Sequence, residues 1–174
     1  MGILTFMARR FIAGETKEQA FEAVRKLNGL GMKASLDILG ENVSSTDMAR
    51  NLADLYIDIL NSIAAQNITA NVSLKLTQMG LDVSDDFCFE NVARIIEVAR
   101  NHNNFIRIDM EGSDYTNRTL NLVHRWAEKY GNVGTVIQAA LYRSARDVDE
   151  LNRRKIKVRL CKGAYKEPAI VAFQ

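Results

Sequence analysis

Five short apolar runs, separated by longer amphipathic segments, are the feature of this 174-residue sequence that most restricts its fold. The runs are mostly continuous, which is typical of strands that a sheet buries on both faces. Strands that alternate with helices are joined by crossovers and lie parallel. We therefore predict a parallel sheet with strands within residues 34–39, 71–76, 105–110, 134–140 and 156–161.

The segments between these runs have the three- and four-residue apolar spacing of amphipathic helices. Residues 45–47 (Ser-Thr-Asp) supply cap candidates for one helix, and Gly131 is a candidate for the end of another. Ser144 and Asp147 have the spacing of a capping-box variant. The spacing predicts helices near residues 17–28, 49–64, 89–99 and 120–127, and a short helix that begins at residue 144.

Polar side chains at the ends of the predicted strands favour a barrel over a doubly wound sheet. Barrels of the (β/α)₈ type carry their chemistry at the C-terminal ends of the strands. A doubly wound sheet predicts a glycine fingerprint after the first strand, but the nearest match, at residues 29–31, precedes that strand. The strand-end residues are Asp37, Lys75, Asp109, Gln138 and Arg159.

The number of predicted strands indicates one domain that holds part of a barrel. A closed (β/α)₈ barrel has eight strands, and this sequence contains five candidates. We therefore expect residues 1–174 to form a single α/β domain, a partial (β/α)₈ barrel of about five parallel strands with intervening helices. An open sheet exposes two edge strands, which favour pairing between copies, so the sequence leaves an oligomer open.

Composition and charge argue against several classes of protein. The net charge of +2 is too small to indicate nucleic-acid binding, and no apolar run is long enough to span a bilayer. Cys88 and Cys161 lack the spacing of a disulfide framework or a zinc site, which fits a reducing, cytoplasmic compartment. No group of residues predicts a metal site.

Seven segments, in their order and spacing, resemble the proline dehydrogenase family over nearly the whole chain. The most specific is the arginine-x-x-Lys-Gly-Ala-Tyr segment that begins at residue 159. The resemblance is greater to the bacterial monofunctional enzymes than to those fused to an aldehyde dehydrogenase. The segments are RFIAGET (10–16), SLDILGE (35–41), VSLKLTQ (72–78), IRIDME (106–111), TVIQA (135–139), LYR (141–143) and VRLCKGAYKE (158–167).

This resemblance implies a distorted (β/α)₈ barrel that binds FAD without a covalent bond and oxidises L-proline to Δ¹-pyrroline-5-carboxylate. It also implies that electrons pass to a membrane quinone, with peripheral contact at the inner face of the membrane. In the family, the domain continues with further strands and a helix whose Arg-Arg pair grips the substrate carboxylate. Residues 1–174 contain no such segment, so we expect this chain alone to be inactive.

Four residues match catalytic positions of the family. Lys75 matches a lysine beside the proline carboxylate, whose charge a cation offsets. Asp109 matches a residue near Lys75 and the flavin, and an ion pair between the two would hold both charged. Arg159 matches an arginine near flavin N5, where a permanent positive charge favours reduction. Tyr165 matches a tyrosine that packs beside the proline ring.

Further residues match positions that contact the cofactor. Gln138 matches a glutamine that bonds the pyrimidine edge of the flavin through its amide. Gly163 would permit close approach of the backbone, and Ala164 matches a position that contacts both substrate and flavin. The complete set that the resemblance assigns to the cofactor is Asp109, Val136, Gln138, Arg159, Cys161, Gly163, Ala164 and Lys166.

A structural explanation of these residues also remains open. Lys75 could extend from its strand end to water, the Asp109 ion pair could be purely structural, and Gln138 could cap backbone groups. Arg159 could belong to the solvated basic run at residues 153–159, and Tyr165 could be a core residue.

Two other functions remain open as well. A lyase of the aldolase type would use Lys75 as a Schiff base, and a non-catalytic product of a disrupted gene would keep the motifs without the reaction. Asp37 and Glu41 receive no catalytic role from the resemblance, and we interpret them as structural polar contacts.

Overall fold

Helices and strands alternate along residues 13–40 and 42–174, the part of the chain that the computed structural model describes. Residues 10–12 of the first matching segment and Glu41 lie outside it. None of the helices in these ranges has the length and apolar character needed to cross a membrane. The elements are α1 (Lys17–Gly29), β1 (Ala34–Leu36), α2 (Thr46–Ala65), β2 (Ala70–Leu74), α3 (Asp85–Asn101), β3 (Ile106–Ile108), a 3₁₀ turn (Ser113–Tyr115), α4 (Thr116–Tyr130), β4 (Val133–Gln138), α5 (Ser144–Arg153) and β5 (Lys157–Cys161).

Side-chain caps fix the starts of three helices. The hydroxyl groups of Thr16, Ser45 and Ser84 each accept a hydrogen bond from the backbone N–H three residues later, which satisfies a donor that the helix leaves free. Among residues 45–47, Ser45 is therefore the cap. The end of α4 at Gly131, with φ +80°, confirms the predicted left-handed C-terminal glycine.

The start of α5 differs from the predicted capping box. Arg143 precedes the first turn, and no side chain caps the helix. Ser144 Oγ donates instead to the carbonyl oxygen of Gln138 at 2.5 Å. Asp147 accepts two hydrogen bonds from the Arg143 guanidinium, at 2.6 and 3.1 Å. These two polar residues therefore join α5 to the end of β4 and to the preceding turn.

The strands form one parallel sheet in the order β1–β2–β3–β4–β5. Parallel strands in strictly sequential order, joined by right-handed crossovers, carry their helices on one face. A doubly wound sheet would reverse its strand order and carry helices on both faces. This order confirms the predicted α/β fold, a partial (β/α)₈ barrel of five parallel strands.

Alternate strand residues divide between the two faces of this sheet. Val72, Leu74, Ile106 and Ile108 are fully buried and belong to one apolar core with the helices. Their sequence neighbours therefore point to the opposite face, which we call the inner face. The largest buried side chains that the helices add to the core are Phe21, Tyr56, Leu60, Ile95, Ile96 and Trp126.

Not every strand is buried on both faces as predicted. β4 is buried throughout, whereas β1 is only partly buried and β5 is largely exposed, and these two strands form the edges of the sheet. β1 also ends at Leu36, because the chain from Asp37 onward bonds to side chains of α2 and the segment after β2. Arg159 is the third residue of β5, so it lies within the strand and not at its end.

Candidate functional site

The candidate residues gather on the inner face, toward the carboxyl ends of the strands. Lys75 and Asp109 directly follow β2 and β3, and Gln138 is the last residue of β4. Gln138 is aligned with Cys161 of β5, and aligned residues of neighbouring parallel strands point to the same face. Successive strands thus bring side chains that are far apart in sequence to one rim.

An ion pair between Arg159 and Asp109 crosses the inner face. Arg159 Nη2 donates to Asp109 Oδ1, and Ser73 Oγ donates to the same oxygen at 2.5 Å. The Arg159 side chain is 43% exposed and the Asp109 side chain 19%. Asp109 therefore fixes the guanidinium of Arg159 in a position that ligands can still reach. Arg107 is a second arginine of this face, and burial and the positive charge of Arg159 lower its pKa.

Lys75 forms a second ion pair, with Asp37. Lys75 Nζ lies 3.3 Å from Asp37 Oδ2, and the two side chains are 16% and 25% exposed. The prediction of an ion pair between Lys75 and Asp109 is therefore wrong. The carboxylate of Asp109 bonds instead to Arg159 and Ser73. Lys75 and Arg159 thus each have a carboxylate partner of their own on the inner face.

Tyr56, a fully buried residue of α2, forms a hydrogen bond to Oδ1 of Asp37, whereas Lys75 bonds to Oδ2. Tyr56 Oη lies 3.0 Å from Asp37 Oδ1 and 3.2 Å from Gln78 Oε1, and it accepts a hydrogen bond from the backbone N–H of Ile38 at 3.1 Å. Burial and the charge of Asp37 raise the pKa of Tyr56, so the hydroxyl keeps its proton. Burial also raises the pKa of Asp37, whereas Lys75 and the Tyr56 hydrogen bond oppose that rise.

The Gln138 side chain is buried, with 3% of the residue exposed, beneath the segment that follows β5. Its Nε2 donates to the carbonyl oxygen of Glu111 at 2.9 Å, and its Oε1 accepts from the backbone N–H of Ala164 at 3.3 Å. An amide has two hydrogens and two lone pairs, so one donor and one acceptor of Gln138 have no partner in these two bonds. The structure thus places the predicted cofactor amide under Ala164.

Gly163 brings the backbone close to this amide. Its φ of +115° is one that residues with a side chain rarely adopt, and a Cβ at this position would lie 3.3 Å from both Gln138 Oε1 and the Ala140 side chain. The sequence expectation of a close backbone approach at Gly163 therefore has a physical reason here, although its neighbours in the structure are protein atoms.

The loop at residues 162–167, which carries Tyr165, is tied to the β3–α4 connection. Glu167 accepts two hydrogen bonds from Ser113, one from the backbone N–H at 2.8 Å and one from the hydroxyl at 2.5 Å. We call this bidentate contact the Ser113–Glu167 clasp. Tyr165 is 37% exposed, so it is not a core residue in the described structure.

The other predicted lining residues differ in their access to ligand. Val136 is aligned with Arg159 and is buried, whereas Cys161, Ala164 and Lys166 are exposed. They therefore surround the rim without forming a closed pocket within the described residues. Nor does this part of the chain hold a group of three or more His, Cys, Asp or Glu side chains with the arrangement of a metal site.

Sequence reasoning missed several residues that hold the site together. Ser73 follows the alternation of β2 and points to the inner face, but its hydroxyl gave no signal of its own. Tyr56 lies on the apolar side of a helix, where the spacing by itself predicts a core residue. Glu111 is buried and accepts hydrogen bonds from the backbone N–H and hydroxyl of Thr77, at 3.1 and 2.5 Å. Only the strand-end position of Asp37 marked it in advance.

Comparisons of the sequence with known proteins identify its relatives. A family model described as proline dehydrogenase matches residues 20–172. Proline dehydrogenase 1 of Bacillus subtilis is 39% identical over 166 residues, which is 95% of this chain and 55% of the relative. The proline dehydrogenase of Deinococcus radiodurans is 37% identical over 172 residues, 96% of this chain and 56% of the relative.

Solved structures show the same fold. One is the crystal structure of proline utilization A from Bdellovibrio bacteriovorus, a protein inactivated by N-propargylglycine. It matches with a TM-score of 0.84 and 25% identity, over 92% of this chain and 20% of that one. A Bradyrhizobium japonicum proline utilization A variant matches with a TM-score of 0.68 over 87% of this chain and 18% of that one, at 25% identity. The chain spans about half the length of the curated proline dehydrogenases described above. The chain belongs to the proline dehydrogenase family.

Proposed function

We propose that this chain forms part of an enzyme that oxidises L-proline to Δ¹-pyrroline-5-carboxylate with FAD as the hydride acceptor. The observation that carries the proposal is the presence of two ion pairs on one inner face, Lys75 with Asp37 and Arg159 with Asp109. Family membership supplies the reaction class, and the ion pairs supply the cations that the substrate and the reduced cofactor need. The activity is proposed for the full-length protein that contains this chain.

Lys75 is the proposed partner of the substrate carboxylate. Its side chain is largely buried, which strengthens its attraction for an anion because few water molecules screen it. Asp37 fixes the ammonium in place without occupying all three of its N–H donors. Tyr165, in the loop above the rim, is the proposed contact for the proline ring, together with Ala164.

The oxidation removes a hydride from the carbon beside the ring nitrogen, and the nitrogen lone pair forms the C=N bond. The amine must therefore be neutral when it reacts. Lys75, Arg107 and Arg159 place three positive charges on the inner face against the two carboxylates of Asp37 and Asp109, and a nearby excess of positive charge disfavours a protonated amine. The proposed site thus favours the reactive form of proline as well as binding its carboxylate.

The residues on the inner face fit a flavin ring. Arg159 is a permanent cation that is partly exposed, and Gln138 retains one donor and one acceptor. When bound, the flavin supplies the acceptor for the hydride. A positive charge held beside that acceptor stabilises the electron-rich product. The full set proposed to hold the cofactor is Asp109, Val136, Gln138, Arg159, Cys161, Gly163, Ala164 and Lys166.

The electron acceptor proposed beyond the flavin is a membrane quinone, reached by peripheral contact with the bilayer. Quinone reduction by the full-length protein with proline, measured with and without vesicles of anionic lipid, tests this part. An equal rate of quinone reduction in the presence and absence of the vesicles would remove the membrane contact from the proposal.

The central test is the loss of flavin absorbance when proline is added without oxygen to the full-length, flavin-loaded protein. We expect rapid bleaching in the wild type and a rate at least about 100-fold lower in Arg159→Met, in line with the loss of one preorganised electrostatic contact. Arg154→Met is the matched control, because Arg154 is an arginine of the same region whose guanidinium bonds to Glu150.

Two results would contradict the proposal. A flavin-loaded wild type that proline does not bleach would exclude proline oxidation, and unchanged bleaching in Arg159→Met would remove Arg159 from the reaction. Borohydride trapping of a Lys75 adduct with a carbonyl substrate would indicate the Schiff-base lyase instead.

A further inference from the structure

A buried hydrogen-bond network lies behind Lys75, and of its members only Asp37 has a part in the reaction as proposed above. It consists of Tyr56 on α2, Gln78 after β2, and Asp37 with the adjoining backbone of Ile38 and Gly40. Tyr56 is fully buried and Gln78 is 1% exposed, so neither can meet the substrate directly. Any influence they have on the site must pass through Asp37.

We infer that Tyr56 is a positioning residue that holds Asp37, and through it the ammonium of Lys75, in place for the substrate carboxylate. The inference rests on the proposed role of Lys75. The contact path is continuous: Tyr56 Oη is 3.0 Å from Asp37 Oδ1, and Asp37 Oδ2 is 3.3 Å from Lys75 Nζ. One carboxylate thus joins a neutral buried hydroxyl to the cation of the site.

The orientation of Gln78 is fixed by two backbone carbonyls. Its Nε2 donates to Ile38 at 2.7 Å and to Gly40 at 2.8 Å. Because both hydrogens of the amide are used in this way, its oxygen must face Tyr56. The side chain of Gln78 therefore presents an acceptor to the tyrosine and holds the loop after β1 at the same time.

The single hydroxyl hydrogen of Tyr56 consequently has two acceptors, Asp37 Oδ1 and Gln78 Oε1. A hydrogen bond to a charged acceptor is stronger than one to a neutral acceptor, so an ionised Asp37 takes the hydrogen. A protonated Asp37 loses that advantage, and the hydrogen turns to Gln78. The position of this hydrogen therefore follows the charge on Asp37.

The charge on Asp37 in turn decides how firmly Lys75 is held. Among residues 13–40 and 42–174, the charged and titratable groups that act on Asp37 are Lys75, Tyr56 and Asp109. Burial raises the pKa of Asp37, the negative charge of Asp109 adds to that rise, and Lys75 and Tyr56 lower it. Tyr56 thus extends to lower pH the range in which Asp37 is ionised and Lys75 has its partner.

The first test needs no turnover. In the full-length protein labelled with ¹³C and ¹⁵N in lysine, the Lys75 side-chain resonance, identified by its loss in Lys75→Arg, is followed against pH. A step that disappears in Asp37→Asn reports the ionisation of Asp37. We expect Tyr56→Phe to move this step to higher pH by about one unit, because a hydrogen bond to the charged form is lost.

Two further variants keep the test decisive. Tyr130→Phe is the matched control, because its hydroxyl also bonds a carboxylate, that of Glu97 at 3.0 Å, but on the outer surface. It should leave the step in place. Gln78→Met removes the competing acceptor and should move the step to lower pH, and this variant carries the test if Tyr56→Phe does not fold. An unchanged step in the folded variants would overturn the inference.

The second test uses substrate binding. The measurement is made at a pH between the step of the wild type and the step of Tyr56→Phe. There we expect Tyr56→Phe to raise the KM for proline about tenfold while kcat changes little, because the lost interaction orients the Lys75 ammonium that binds the substrate carboxylate. A merely structural defect would lower the folded fraction and leave KM unchanged. A shifted lysine step in a protein without proline oxidation would uphold the positioning role and refute only the proposed function.

Discussion

Asp109 Oδ1 accepts hydrogen bonds from two side chains at once, Nη2 of Arg159 and Oγ of Ser73. The three residues come from β2, from the end of β3 and from β5, and Arg159 is 86 positions from Ser73 in the sequence. One carboxylate oxygen therefore joins three parts of the sheet at the inner face. Since Asp109 is committed to these donors, Lys75 is left to pair with Asp37.

The first prediction concerns this shared oxygen. Asp109→Asn removes a negative charge beside Arg159, so the reduction potential of bound flavin should rise, whereas Arg159→Met should lower it. Dye equilibration during anaerobic reduction of the full-length protein measures both shifts. Asp82→Asn is the control, because Asp82 accepts a hydrogen bond from the Tyr115 hydroxyl and not from Arg159. Shifts of the same sign in the Asp109 and Arg159 variants would contradict the assignment.

The second prediction concerns pH and stability. Burial raises the pKa of Asp37 above that of an unfolded aspartate, so the folded state binds the proton more tightly. The free energy of unfolding that Asp37 contributes is therefore fully present below the unfolded pKa and is lost as pH rises through the folded pKa. Asp37→Asn removes this dependence.

Denaturant unfolding of the wild type and Asp37→Asn across acid to neutral pH measures the effect. The stability of the variant relative to the wild type should increase as pH rises through that window. Asp58→Asn, which alters an aspartate in a more exposed ion pair with Lys17, should show no such increase. Parallel curves for the wild type and Asp37→Asn would contradict the pKa direction.

The third prediction concerns Gly163. Gly163→Ala forces a side chain into a φ of +115° and toward Gln138 Oε1, with a strain of about 1–3 kcal/mol. We expect flavin affinity of the full-length protein to fall about tenfold or more, measured by fluorescence titration of the apoprotein. Gly29→Ala is the matched control, because a Cβ there meets nothing within 4 Å. Equal affinities in both variants would exclude a cofactor role for this loop.

The fourth prediction concerns the Ser113–Glu167 clasp. Glu167→Gln puts an NH2 group where one carboxylate oxygen accepts a hydrogen bond from Ser113, so one acceptor is lost and the remaining bond becomes neutral, about half as strong. Amide hydrogen exchange of residues 162–167 should therefore quicken, by roughly tenfold for about 1.4 kcal/mol of lost contact. Glu150→Gln, an exposed carboxylate bound to two arginines of its own region, should not alter exchange in this loop. An unaffected loop would show that other contacts hold Tyr165.

The fifth prediction uses the two cysteines. Cys161 is exposed on β5, whereas Cys88 is buried, and burial raises the pKa of its thiol. A thiolate reagent should therefore modify Cys161 first and leave Cys88 as an internal control. If Cys161 lines the cofactor as proposed, bound flavin should protect it in the full-length protein. Equal labelling with and without flavin would remove Cys161 from the site.

Local patterns in the sequence are sufficient to predict the types of the elements and their order. Apolar runs specify buried strands because side chains that leave water on both faces of a sheet must all be apolar, and three-four spacing specifies helices with one apolar side. Motif resemblance also selected Arg159, Lys75 and Asp109. These signals are local in the sequence, so they can be read without knowing which strands are neighbours in the sheet.

The pairing of the charges, in contrast, depends on the folded arrangement of the strands. Asp109 could have served either cation, and it bonds to Arg159, two strands away on the same inner face, and not to Lys75 at the end of the adjoining strand. Tyr56 has the apolar neighbours of a core residue, and its hydroxyl acquires a role only because α2 places it against Asp37. A hydrogen bond requires its donor and acceptor atoms to lie about 3 Å apart, to within a few tenths of an ångström. No local pattern encodes such distances between residues that are far apart in sequence.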